Sequence, residues 1–572
     1  MVSNVVKEIL NRLKVCRDGA LPLISAICDK IQLAKRIDFK IGSDQDNRIV
    51  STGTAIKAMV MNIVTDRKAL YKLDEFYAYT DTEKLFNEGI NSYNFTDDVM
   101  ARALDELYDI GPKKVMTETA MFSIKEYKIP VKSIHAYTTS KNLYGQYKDC
   151  EDEEFDGVKI NRGYSKDHRP DLKQILFGLG ATKDRIIVTG DLSNGNTSDK
   201  DWNKDILKEL RSSMKNYGLS NFIYVADSAA VTKEMLKALH GSENEVVIPF
   251  VSRLPGTFSL EKKLRQKAIE NKNKWEHIGQ ISKKEGNAEY KLQSFEDELY
   301  GRKYRFIVCH SSQLDERKRK TIEKGIAKEK EALNSAMAEL NKINFYCEKD
   351  AYEALKKFET ETKLKFHELG CSILQEEVII KRKKPGRPKQ DEKPNKEDIF
   401  KIKVNVYEDE NKIKYIKDME GMFVLITGIL DEKYMDNRSI LVEYKEQTSV
   451  ETCFRVLKDP YFIDELFLKK PKRVEALAYV MLISLMVLTL LERTVRENLK
   501  GEKEKIVVSG KRKTFTPTGL SIIEAFEYVQ VNLFFQNGQW YRQCDLSTNL
   551  KRILKLAGFS EDIYIESFKK ID

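Results

Sequence analysis

The sequence predicts an α/β protein: a mixed sheet with crossover helices, interrupted by a large insertion and preceded by a helical N-terminal domain. Three observations predict it. Apolar residues recur at helical spacing up to about residue 128. From about 130, runs rich in Ile, Val, Tyr and Thr alternate with helical ones. A charged block over 256–415 then breaks that alternation, until Met422 resumes it.

The first 128 residues read as helices. Val5, Ile9 and Leu13, then Leu23, Ile27 and Ile31, keep the period, as do 54–64 and 95–107. Thr96-Asp97-Asp98 forms an N-cap cluster, and Gly111-Pro112 stops the helix it opens. Residues 129–255 then form the first part of the sheet. Strands are expected at 133–147 and 185–189, with turns at 178–183 and at Asn194-Gly195-Asn196. A helix led by Thr197-Ser198-Asp199 runs from Asp199 to about Met214. A strand at 221–226, a helix at 232–239 and a strand at 246–251 follow.

Within the insertion, 317–369 reads as a charged amphipathic hairpin of helices, leading into a basic tract and a polar segment ending near Lys414. The second part of the sheet occupies 416–500. It starts with the strand 422–428, continues with one long helix from about Asn437 to Lys458, and ends in an apolar helix. Residues 501–572 form a basic, aromatic C-terminal tail.

Charge and cysteine content exclude several classes. Of 572 residues, Lys and Arg number 98 against 89 Asp and Glu, a net charge of +9. The excess is concentrated: the stretch from Lys381 to Lys396 holds eight bases against Asp391 and Glu392, which marks a local polyanion contact. None of the eight cysteines has CxxC spacing, and charge recurs from Lys7 onward without a secretory leader, so a reducing cytoplasm is expected. The longest uncharged run, Ala476 to Leu491, is short for a bilayer and reads as a buried core helix, with no membrane partner. No Gly-x4-Gly-Lys-Ser/Thr stretch is present, so no nucleotide cofactor is expected. The six histidines form no close ligand pair.

The helix expected over 437–458 carries the functional argument. At about 100° per residue, Tyr444, Gln447, Glu451 and Lys458 fall within about 60° of one another, and Val450, Phe454 and Leu457 form the adjacent apolar stripe. A carboxylate and a base thus share a polar row beside a packing face.

That row, Tyr-x2-Gln-x3-Glu-x6-Lys, resembles the Tyr-x2-Arg-x3-Glu-x6-Lys signature of DDE transposases of prokaryotic insertion sequences. Other stretches resemble that family in the same order: Gly163 to Gln174 (Gly-Tyr-Ser-Lys-Asp-His-Arg-Pro-Asp-Leu-Lys-Gln), the turn Asn194 to Asp199, and Tyr224-Val225-Ala226-Asp227-Ser228. The resemblance implies an RNase H-like fold and cut-and-paste transposition by two-metal phosphoryl transfer. Asp227 would be the second acid and Glu451 the third, both Mg2+ ligands in a two-ion site, since hard cations take oxygen ligands. Tyr444, Gln447 and Lys458 would contact DNA. The partners implied are double-stranded DNA, as terminal inverted repeats and target, and a second copy in a homodimer on DNA. The location implied is cytoplasmic and nucleoid-associated, and the N-terminal domain would bind the DNA ends.

Two positions depart from the family pattern. In His135-Ala136-Tyr137-Thr138-Thr139-Ser140, Tyr137 occupies the place of the first Asp, and a phenol is neutral at pH 7 and a poor Mg2+ ligand. Gln447 stands where the signature has Arg, without charge or guanidinium fork. The alternative is therefore a catalytically inactive, decayed or repurposed DNA-binding protein of transposase origin. Within the basic tract, Lys383-Lys384-Pro385-Gly386-Arg387-Pro388-Lys389 resembles an AT-hook, with Lys384, Arg387 and Lys389 as DNA contacts; a solvated basic linker is the competing reading.

Overall fold

The computed structural model describes residues 13–42, 45, 47–147, 155–219, 221–241, 245–281, 287–313, 316–380, 396–459, 468–536 and 539–565. They fall into two units: Met1–Arg253 with Thr427–Ile429 and Val442–Asp572, and Leu254–Ile426 with Leu430–Leu441.

The first described element of this unit is a short strand; the helix expected from Val5 to Leu13 falls almost wholly outside the described residues. Lys14–Cys16 pairs with Val531–Gln536, Lys14 opposite Leu533, a partner some 500 residues away that no local period can reveal. Helices follow at Leu21–Lys30, Leu33–Ile41 and Thr52–Val64, the last buried at every position and capped by the Ser51 hydroxyl, which accepts from the Thr54 N–H. Thr96 caps Asp97–Asp109 as its sequence suggested, and Pro112 then opens Pro112–Glu126, where its missing N–H is harmless.

The sheet of this unit has five strands: β1 (Ser133–Leu143), β2 (Lys173–Ala181), β3 (Ile187–Asn194), β4 (Ile223–Ala226) and β5 (Phe250–Arg253), in the order β3-β2-β1-β4-β5. The first three pair antiparallel, and β4 and β5 run parallel to β1, so the sheet is mixed. Crossover helix α1 (Asp199–Tyr217) joins β3 to β4, with the Ser198 side chain accepting from the Asp201 N–H. The expectation of a turn at 178–183 is corrected. Gly178 and Gly180 lie inside β2, and the reversal sits at 182–185, closed by Arg185 N–H to the Thr182 carbonyl at 2.8 Å. Gly178 is glycine because the Trp202 indole of α1 lies flat against it.

The single helix expected over 437–458 is two: α2 (Asn437–Lys445) and α3 (Thr448–Lys458). Between them the bonds tighten to i−3, with Gln447 N–H to Tyr444 and Ser449 N–H to Glu446. Thr448 and Ser449 favour a helix start over a helix interior. The apolar run expected at 476–491 sits within α4 (Pro471–Leu499), which is buried along most of its length and threads the core of this unit. The described residues between 506 and 565 are folded, where a basic, aromatic C-terminal tail was expected. Ile506–Val508 pairs with Arg512–Thr514, Val531–Gln536 with Gln539–Gln543, and Thr548–Ala557 buries Ile553 and Leu554.

The second unit contains β6 (Glu276–Gln280), β7 (Glu289–Leu299), β8 (Arg302–Ser311), β9 (His367–Ile379), β10 (Lys396–Glu408) and β11 (Met422–Thr427). Four of them order as β11-β8-β7-β6, and β9 and β10 form a separate antiparallel hairpin. Two charged helices, Glu316–Leu340 and Glu348–Glu361, match the expected helical hairpin. The polar segment expected after Leu369 is instead the β9–β10 hairpin, on which Ala351 and Leu355 pack against Ile402 and Val404. The outer half of β9 is exposed at every position, so Gln375, Glu376 and Glu377 interrupt the alternation that would otherwise signal a strand.

Arg305 on β8 is 1% exposed, donates Nη2 to the Met435 carbonyl at 2.6 Å and lies 3.8 Å from Glu432. Its Nε and Nη1 find no hydrogen-bond acceptor among the described residues. Burial accordingly lowers the pKa of the guanidinium. Replacing Arg305 with Met should leave stability within about 1 kcal/mol of wild type or raise it, because a poorly paired buried cation costs desolvation that a thioether does not. Urea unfolding midpoints measure this; a loss of about 3 kcal/mol would refute it.

Candidate active site

The site is built at the carboxyl end of β4. Asp227 directly follows that strand, where open α/β sheets present their functional groups. Its carboxylate caps the short turn that follows, Oδ1 accepting from the Ala229 N–H at 3.0 Å, while its carbonyl accepts from Ser252 at 2.7 Å. Burial raises the pKa of the Asp227 carboxyl. The Ala229 N–H works against that, the neighbouring Asp199 charge adds to it, and Lys166 opposes it.

Tyr137 lies on the neighbouring strand β1, beside the Ala136–Ala226 register pair. Its ring is half-buried, and its phenol donates a short hydrogen bond to Gln447 Oε1. Burial pushes the phenol pKa far up, and the nearby Tyr444, Asp227 and Glu451 raise it further. Of the side chains singled out in the sequence, Gln447 touches Tyr137 and Asp227 follows the strand beside it, while the charges of Tyr444 and Glu451 reach the phenol. Gln447 is 8% exposed and its Nε2 has no partner among the described residues, whereas Glu451 is exposed. Lys458, at the far end of α3, pairs with Asp167 at 2.6 Å. Lys384, Arg387 and Lys389 lie outside the described residues.

Two residues that sequence reasoning did not assign complete the cluster. Lys166 Nζ donates to the Thr138 carbonyl at 2.9 Å and to Thr138 Oγ1 at 2.6 Å, and contacts both Asp199 oxygens at 3.0 and 3.1 Å. Thr138, next to Tyr137, also donates to Asp199. Both residues stood inside stretches already noted, Lys166 in the Gly163–Gln174 motif and Asp199 in the capping cluster. Nothing local showed that they meet.

Behind this cluster, the fully buried His135 faces the Glu443 carboxylate at 3.0 Å and Ser133 at 3.3 Å. Burial tends to raise the Glu443 pKa, but the His135 and Ser133 hydrogen bonds outweigh it and hold the carboxyl below its usual range. This contact ties α2 to β1 and sets the approach of Tyr444 and Gln447.

The donor set does not fit two divalent ions. A neutral phenol stands beside Asp227 and Glu451 where a third carboxylate is needed, its proton is committed to Gln447, and the Asp199 carboxylate is taken up by Lys166 and Thr138. Among the described residues no group of three or more His, Cys, Asp and Glu side chains could hold a metal.

Residues 14–121 match the model of a domain family of unknown function, DUF4277. No curated protein matches the chain. Among solved structures, a cryo-EM structure of the piggyBac transposase synaptic complex with hairpin DNA is similar over 90% of this chain and 80% of that chain. The identity is 9% and the TM-score 0.35, a likeness too distant to carry an argument.

Proposed function

We propose that this chain is a DNA-binding protein of DDE transposase descent, with an RNase H-like core, whose strand-cleaving site is blocked at Tyr137. The observation that carries the reading is the position of Tyr137. Its phenol bonds Gln447, it lies on the strand beside Asp227, and the charges of Tyr444 and Glu451 reach it, which supports the reading that this is the position of the first acid. The mixed sheet, with an acid at the carboxyl end of β4, supports the same reading. The phenol cannot replace a carboxylate: it is uncharged at neutral pH and already a donor to Gln447. What remains is a surface that recognises duplex DNA without turning it over.

The test uses the full chain and duplex DNA from the regions that flank its gene, with any paired inverted repeats found there. Gel-shift affinity should fall steeply between low and moderate salt, as counterion release requires. No nicks should accumulate with Mg2+ or Mn2+. If the wild-type chain nicks the duplex and Asp227→Ala abolishes that activity, the blocked-site reading is wrong. If it fails to bind the duplex at low salt, the DNA-binding reading is wrong.

A further inference from the structure

We infer that Tyr137 and Gln447 are one coupled replacement, a neutral donor–acceptor pair in place of a carboxylate and a guanidinium, so that neither position can be restored alone. The inference rests on the function proposed above, because it takes position 137 as that of the first acid. Its physical core is the contact itself. The two departures from the family pattern lie 310 positions apart and touch, phenol hydroxyl to amide oxygen. Independent decay has no reason to place its two changes in direct contact.

The chemistry of each group explains the coupling. Gln447 is 8% exposed and its Nε2 is unpartnered among the described residues, so the bond to Tyr137 is what satisfies its amide. An Arg at 447 offers only donors: the Tyr137 oxygen could accept from it, but the Tyr137 O–H would lose its acceptor and a buried charge would face a neutral group. An Asp at 137 would add a third carboxylate beside Asp227 and Glu451. The Gln447 amide can turn its NH2 towards that carboxylate, but it brings no positive charge. Only the two changes together produce an ion pair.

Thermal melts of the full chain, without DNA, test this. Gln447→Arg should lower Tm by several degrees in the wild-type background and raise it in the Tyr137→Asp background. Such a reversal of sign is the signature of a coupled pair. If the charged variants do not fold, Tyr137→Phe and Gln447→Leu form a second cycle. Each alone strands a buried polar group, and the double variant should lose clearly less than the two single losses combined. Additive effects in whichever cycle folds would overturn the inference. The function reading fails separately: a chain that shows the coupling but does not bind duplex DNA at low salt leaves the pair intact and removes the proposed function.

Discussion

Replacing Gly178 with Ala lowers stability by about 3 kcal/mol, the upper end of what overpacking costs. A Cβ at this position would lie 2.1 Å from Trp202 Cε2 and Nε1 and 2.3 Å from Cζ2, well inside contact distance. The indole has nowhere to retreat, being 1% exposed between α1 and the sheet. Gly178 pairs across the sheet with Thr138 and with Asp191, so a shift of β2 is transmitted to β1 beside Tyr137. Displacing Trp202 also drags the first turn of α1, and with it the Asp199 carboxylate that Lys166 and Thr138 hold. Urea unfolding should show a lower midpoint with an unchanged slope, and Trp202→Leu should recover part of the loss in the Gly178→Ala background. A Gly178→Ala protein within 0.5 kcal/mol of wild type, on the order of a surface change, would refute this.

Asp18→Asn raises stability at pH 8 by on the order of 2–4 kcal/mol and flattens its pH dependence. Asp18 is 2% exposed, and burial lifts its carboxyl pKa to about 7; the Asp81 N–H bonded to it works in the opposite direction, and the Asp81 charge adds to the rise. The unfolded chain loses this proton near pH 4, whereas the folded chain keeps it until about pH 7. Between those values the folded state binds more protons, so stability is full below pH 4, falls as pH rises to about 7, and then levels off. An asparagine still accepts from the Asp81 N–H but carries no titrating proton. The stability gap between variant and wild type should therefore be small at pH 4 and largest at pH 8. A gap that does not change with pH would show that Asp18 does not titrate in this range.

What could be read from the sequence was local. The caps at Thr96 and Ser198, the apolar stripe of Val450, Phe454 and Leu457, and the position of Asp227 just past a strand are all short-range patterns. The structure has each of them. What escaped was either non-local or disguised. Lys14–Cys16 and Val531–Gln536 lie at opposite ends of the chain, and no period links them. Gly178 and Gly180 carried a turn signal although they serve close packing within a strand. The strands β6, β7, β9 and β10 are heavily charged, and their burial is too partial to impose a clean alternation. At the site, the residues around Tyr137 were named in advance by resemblance. The Lys166–Asp199 pair was not, because each member had an adequate local explanation as a loop base and as a capping acid.

The interruption between α2 and α3 changes what Glu451 experiences. In one continuous helix its carboxylate would sit mid-span, where the aligned peptide dipoles largely cancel. Because a new helix starts at Thr448, Glu451 falls in an opening turn, near the positive pole of α3. The fold thus places this exposed acid in the favourable field of a helix start.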